Sequence, residues 1–323
     1  MANVLRNWMT VMAAVAVIAV ISVSVKPISG QSPASQVQRT TDGTPDFSGI
    51  WQANNTANWD LQTHLARPMV AQPGVYSDVP VLAAPVVALG AMGWIPAGLG
   101  VVEGDEIPYQ PWAAQRKAEN AENWLDRDPE LKCFMPGVPR AMYLPYPFEV
   151  IHSNDRVMMN FEFSGATRFI HLEDVEGYPG DAFMGHSEGH WEGDTLVVDV
   201  TSFTPNTWFD RSGNFHSDAL HVVERYTPIS RDAIQYEAMI EDEKVFTRPW
   251  KISMPLYRRL EGDARLLEFR CAEFVEETMF GHLRKEPLVK RWEGETMIVD
   301  ITRKIPEDED VLYRRHFSGN PPQ

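Results

Sequence analysis

The sequence predicts a mainly β protein with an antiparallel, barrel-like core and a short helical, proline-rich segment before it. Three observations carry this. From Phe148 onward apolar and polar residues alternate in short runs, the period-two signature of half-buried strands. The runs are separated by short turn-forming pieces such as Glu192-Gly193-Asp194, which favour antiparallel neighbours. Roughly ten such runs in succession leave edges that a closed or strongly curved sheet protects.

Composition sets the class. The chain has 323 residues, of which 44% are hydrophobic, enough for a sizeable core. Its net charge is −16, which argues against nucleic acid and anionic membrane surfaces as partners. Residues 1–30 carry only Arg6 and Lys26, so the remainder is more acidic still. Arg6 precedes the uncharged, mostly apolar run Trp8–Val25, and Ser29-Gly30 offers small residues for cleavage. Residues 1–30 therefore read as a secretory signal peptide, giving a periplasmic or secreted protein with no stable membrane insertion after cleavage. An uncleaved inner-membrane anchor is the alternative. Two cysteines, Cys133 and Cys271, form an even pair, and an oxidising compartment favours a disulfide between them over a reactive thiol. Closing so long a loop stabilises by about 3–5 kcal/mol on the loop-entropy account.

In chain order, residues 31–44 read as a polar, flexible linker. The folded part begins at residue 45 and divides into an N-terminal piece, 45–147, and a β domain, 148–323. Gly49-x-Trp51 resembles the start of lipocalin-type barrels, so the expected core is of lipocalin- or calycin-like kind. Residues 79–102 carry no charge, but Pro85, Pro96 and four glycines break them into pieces too short to span a membrane. They read as buried loop with short strands, or as an apolar lid over a ligand pocket. Pro111–Asp126 is the best helix, with Pro111 in its first turn and Ala114, Ala118, Ala121 and Leu125 as its apolar stripe. Prolines 136, 139, 145 and 147 then punctuate an extended connector around Cys133.

The expected strands are Phe148–His152, Arg156–Phe163, Thr167–Leu172, Met184–Trp191, Thr195–Thr201, Ala219–Tyr226, Ala233–Ile240, Trp250–Tyr257, Arg265–Phe274, Leu288–Trp292 and Thr296–Thr302. Trp191-Glu-Gly-Asp-Thr-Leu-Val-Val-Asp199 is echoed by Trp292-Glu-Gly-Glu-Thr-Met-Ile-Val-Asp300, two hairpins sharing one turn chemistry.

The residues able to do chemistry concentrate between Met184 and Arg225, which holds His186, His190, His216 and His221. His186 and His216 are the first candidates for acid–base work, with Asp210 in the intervening turn as orienting carboxylate. Ser187, Glu188, Trp208 and Ser217 are the candidate substrate contacts. His186, Glu188 and His190 fall on one face of an extended segment. A divalent metal is the open alternative, with His186, His190 and His216 as candidate ligands, though no established ligand spacing is present. Gly185-His186-Ser187-Glu188-Gly189 matches Gly-x-Ser-x-Gly in letters only, because a nucleophile elbow needs a helix where this chain continues as strand. His190, His221, His282 and His316 read as surface or core residues, and Glu224, Asp199 and Asp194 as turn or salt-bridge residues. No glycine-rich phosphate loop joins a strand to a helix, so no nucleotide cofactor is expected.

Pro45–Trp51, Cys133-x-x-Pro-Gly-x-Pro-Arg140, Gly185-His-Ser-x-Gly-x-Trp-Glu-Gly-Asp-Thr-Leu196 and His216-Ser-x-x-Leu-x-Val-x-Glu-Arg225 together resemble a large family of secreted bacterial β-rich proteins. The resemblance covers nearly the whole mature chain. It implies export and a β-rich fold, and it implies no reaction. The expected function is a secreted enzyme using histidine and aspartate acid–base chemistry on a small, partly apolar organic substrate, as a hydrolase, lyase or isomerase. A lipocalin-like carrier and a structural envelope protein are the alternatives, separated by whether polar groups converge in a pocket.

Overall fold

The computed structural model describes residues 37–68, 71–73, 80–82, 94–153, 155–173, 175, 180–269, 289–293 and 296–300. All lie in one compact unit, Val37–Gln323. Nine strands close into a barrel: β1 (Gly49–Ala53), β2 (Phe148–His152), β3 (Arg156–Phe161), β4 (Thr167–His171), β5 (His186–Glu192), β6 (Thr195–Thr201), β7 (His221–Ser230), β8 (Ala233–Glu241) and β9 (Trp250–Arg258). From β2 to β9 each strand pairs with the next, and β1 closes the ring by pairing with both β2 and β9. The barrel is not purely antiparallel. A closed ring with an odd number of strands cannot alternate direction throughout, and the parallel pair falls at β4 and β5, with Ile170 opposite Ser187. Leu172 to Gly185 is the longer connection that a parallel pair requires.

Alternation places the core. In β7, Val222, Glu224 and Tyr226 are buried while their neighbours are partly exposed, and β8 and β9 repeat the pattern. The lumen is filled by side chains. Trp51, Phe148, Val157, Ile170, Val198, Tyr236 and Leu256 are all nearly inaccessible. Met142, from the buried turn Arg140–Met142, reaches Tyr226, its Sδ lying 3.6 Å from the hydroxyl oxygen. At the strand entry, Trp51 donates from Nε1 to the Phe47 carbonyl, and the Arg258 guanidinium lies 4.3 Å from its ring centre.

A polar group also sits inside. Glu224 is ion-paired with Arg168 and accepts from Tyr226 and Tyr236 at 2.9 and 2.7 Å. Arg168 donates to Ser187 Oγ at 2.9 Å. Every member is buried and partnered, the condition under which a polar cluster in an apolar core is tolerated.

Several boundaries differ from expectation. β3 stops at Phe161 because the chain turns through Phe163–Gly165, with Ser164 at a φ of 57°. β7 begins two residues late because Ser217 Oγ accepts from the Ala219 amide and keeps that segment in a turn. It then runs on to Ser230, accommodating Pro228 at a register shift. Residues 265–269 of the expected strand Arg265–Phe274 are not strand, and the rest of it lies outside the described residues. Of residues 31–44, expected as a linker, 31–36 lie outside the described residues and 37–44 form a turn. Thr40 N donates to Thr44 O, and Arg39 pairs in bidentate fashion with Asp194 on the β5–β6 turn. The echoed hairpins do share one register. Trp191 faces Leu196 as Trp292 faces Met297, and Gly193 takes the positive φ at the first turn position.

Within 79–102, Pro80–Leu82 pairs with Ala71–Pro73 and Trp94–Ile95 with Arg67–Pro68. Residues 83–93, and the lid reading that depends on them, lie outside the described residues. Among the described residues no helix is long and apolar enough to cross a membrane.

The helix forms as α1 (Pro111–Glu122) and a single turn, α2 (Trp124–Arg127). The break is at Asn123, whose side chain takes the Glu119 carbonyl at 2.8 Å, the local competition that makes Asn a poor helix-interior residue. The expected apolar stripe is corrected. Ala113 and Asn120 are buried, whereas Ala114 and Ala118 are exposed. Helix α1 packs against the loop at Gly213, whose φ of 84° already demands glycine. A Cβ there would lie 2.6 Å from the Ala121 amide nitrogen and 2.7 Å from the Lys117 carbonyl oxygen. Gly213→Ala should therefore push α1 away from the loop and destabilise the fold by about 1–3 kcal/mol, read as a lowered melting temperature. An unchanged melt would mean that this contact is not tight in solution.

Candidate functional site

The loop between β6 and β7 carries the site. It is shaped by Asp210, which is fully buried and accepts four hydrogen bonds. These come from the amides of Leu61, Ser212 and Asn214 and from Asn214 Nδ2, at 2.6 to 3.2 Å. Burial and the nearby Asp60 push its carboxyl up to about 7, against the pull of those donors. Asp210 thus ties the backbone at Leu61 to its own loop at Ser212–Asn214. Tyr143 and Tyr109 complete the frame, donating to the Phe209 carbonyl at 2.9 Å and to Asn214 Oδ1 at 2.8 Å.

Held in that frame, His216 is buried between Phe203 and Phe209. Its Nδ1 lies 2.7 Å from the Ser217 carbonyl oxygen, which can only accept, so Nδ1 carries the proton. In the neutral ring Nε2 is then the lone-pair nitrogen, and it accepts from Thr207 Oγ1 at 2.6 Å. Burial lowers the affinity of this imidazole for a proton, outweighing the Ser217 carbonyl and Asp242. Thr207 is in turn held by Gly137. A Cβ at that glycine would approach Thr207 Oγ1 to 2.8 Å. A hydroxyl on one ring nitrogen and an orienting acceptor on the other is the arrangement of an activated hydroxyl and its base.

His216 lines an open groove of 860 Å³ between α1 and the site loop. One helix face builds the opposite wall, with Trp112, Gln115, Arg116, Glu119 and Asn120 following at helical spacing. Trp208 and Phe215 flank His216, and Trp112 stands edge-on to Phe215 with ring centres 6.0 Å apart. The alanine stripe expected from the sequence missed this wall, which the four-residue spacing of Trp112, Arg116 and Asn120 could have marked.

The other sequence candidates lie elsewhere. His186 is on the outer face of β5, where its ring stacks on His171 at 5.6 Å and its Nε2 lies 3.1 Å from Glu188 Oε1. Among the described residues no hydrogen bond or ring contact joins His186 or Asp210 to His216. Ser187 points into the barrel toward Arg168, as the second residue of β5, with strand rather than helix after it. Ser217 holds the buried Asp242 through its amide and hydroxyl, at 2.6 and 2.9 Å. Of the expected site residues, His216 and Trp208 line the groove. His186 and His190 do share one face with Glu188, but four residues along a strand separate them by roughly 13 Å. Among the described residues no group of three or more His, Cys, Asp or Glu side chains converges on a position for a metal ion. His190 is exposed and His221 partly so, and they pair with Glu192 and Asp199, while His282 and His316 lie outside the described residues.

Comparison of the chain with protein-family profiles, with curated proteins and with solved structures finds no match in any of the three.

Proposed function

We propose that the protein is an enzyme that performs acid–base chemistry on a small, partly apolar organic molecule bound in the groove, with His216 as the base. One observation carries this reading: a buried imidazole on the groove wall, fixed in one tautomer, with its lone-pair nitrogen on the Thr207 hydroxyl. The Thr207 hydroxyl gives its proton to Nε2 as its oxygen takes one from the bound molecule, and the Ser217 carbonyl supports the imidazolium that forms. Hydrolysis, elimination and isomerisation all begin with such a step. The filled lumen speaks against a carrier that stores its ligand inside the barrel. The test is a turnover screen over esters, lactones and hydroxylated terpenoid-like compounds, run with wild type and His216→Gln at matched folded concentration. A compound turned over equally by both removes the base from the reading.

The chain's similarity in motif to secreted bacterial β-rich proteins, its apolar N-terminal run and its two cysteines support export with a Cys133–Cys271 disulfide. Among the described residues no cysteine is free, and Cys271 lies outside them. Mass spectrometry of the non-reduced, exported protein should show a new N-terminus near Gly30 and the two cysteine peptides linked. Two free thiols would exclude the bond.

A further inference from the structure

The groove is charged against the trend of the chain. Arg116, Arg127 and Lys132 line it, with Glu119 as the one acid among the described residues, in a protein of net charge −16. Arg127 is only loosely engaged, 3.9 Å from Glu119 Oε2 and 3.5 Å from Asn120 Oδ1. Arg116 is exposed and makes no hydrogen bond or ion pair among the described residues. Cations gathered in a concave site on an acidic protein focus a local positive field and draw anions to it. Beside them, Trp112 is 55% exposed and Phe134 37% exposed, large apolar surfaces left open within the same groove. Trp112 and Arg116 are one turn apart on α1, so one helix face offers a ring and a guanidinium side by side. An inorganic anion would leave the aromatic walls unused, and a neutral apolar molecule would leave the guanidinium unused.

We propose that the groove selects an organic anion with a flat apolar body, its charge held by Arg116 and Arg127 and its body against Trp112, Phe215 and Trp208. The inference rests on the reading of this groove as the substrate site and adds the substrate's charge to it. Titration calorimetry with 1-naphthoate, the near-isosteric neutral 1-naphthamide, and acetate tests it, because it reads binding without requiring turnover. Naphthoate should bind at least about tenfold tighter than naphthamide, with the advantage shrinking as salt is added. Acetate should bind far more weakly than naphthoate. Arg116→Gln should cut the advantage of naphthoate over naphthamide and leave naphthamide unmoved, and Trp112→Ala should weaken both. Equal binding of naphthoate and naphthamide, no binding of naphthoate, acetate binding as tightly as naphthoate, or no effect of Arg116→Gln would overturn the proposal. The outcome is independent of the base. An anion preference with undiminished turnover in His216→Gln leaves a binding groove without the proposed catalyst, whereas lost turnover with no anion preference keeps the base and sinks this inference.

Discussion

Arg140→Met should destabilise the protein by about 3–5 kcal/mol, the usual scale for removing one partner of a buried ion pair. The Arg140 side chain is 1% exposed and fully engaged. It binds both oxygens of Asp128 at 2.7 and 2.8 Å, Glu130 at 2.8 Å and Asn58 at 3.0 Å. Methionine can fill the volume but leaves Asp128, wholly inaccessible, without its cation. Glu130 keeps Arg211, whose guanidinium lies 4.5 Å from the ring centre of Trp59. The contrast is Arg39→Ala, which removes a pair about half exposed on both sides and should cost no more than about 1 kcal/mol. Denaturant melts of the two variants measure both numbers, and equal shifts would mean that the buried network is not closed in solution. The pH dependence has a definite sign. Burial pushes the Glu130 carboxyl up, but Arg211 and Arg140 outweigh it and hold it at about 2. Its contribution to stability is therefore complete above about pH 4.5 and is lost as the pH falls toward 2.

His216→Ala should lower turnover by about 10²–10⁴-fold, the scale of a lost general base. It should also open a cavity between Phe203 and Phe209, so the melting temperature should fall as well. His216→Gln keeps most of the volume and separates the two effects. Thr207→Val is a third probe, removing the hydroxyl on Nε2 while keeping the shape. If the pair works as a unit, Thr207→Val should slow turnover while leaving KM close to its original value. A loss of stability in all three variants, with full activity in the folded fraction, would make His216 a structural residue.

Much of the barrel was legible because period-two alternation is local. A strand declares its inner face in its own letters, and β2 and β6 fall where expected. The closure was not legible in the same way. That β1 seals the ring between β2 and β9, and that β4 and β5 run parallel, depends on strand count and on contacts remote in sequence. The face of α1 was misread because alanine is indifferent to burial, and the helix turns a tryptophan and an arginine toward the open groove. The motifs identified important residues without their roles. Gly137 backs Thr207, Arg140 closes the buried network, and Gly185 leaves no room for a Cβ beside the Thr201 carbonyl. His216 is the base candidate, and Glu224 lies in the lumen. Asp210 was read as the carboxylate that orients a histidine. It orients loops instead, because four backbone and side-chain donors already occupy it.

On the proposed function, a neutral, tautomer-fixed His216 is the base at the groove. The pH profile of kcat/KM on a compound the protein turns over tests it most directly. Because burial depresses the proton affinity of His216, the acid limb of the wild-type profile should have an apparent pKa below the ordinary histidine value of about 6.5. That limb should disappear in His216→Gln, together with about 10²–10⁴-fold of the rate. A profile whose acid limb stays in place in His216→Gln, at wild-type rate, would contradict the account.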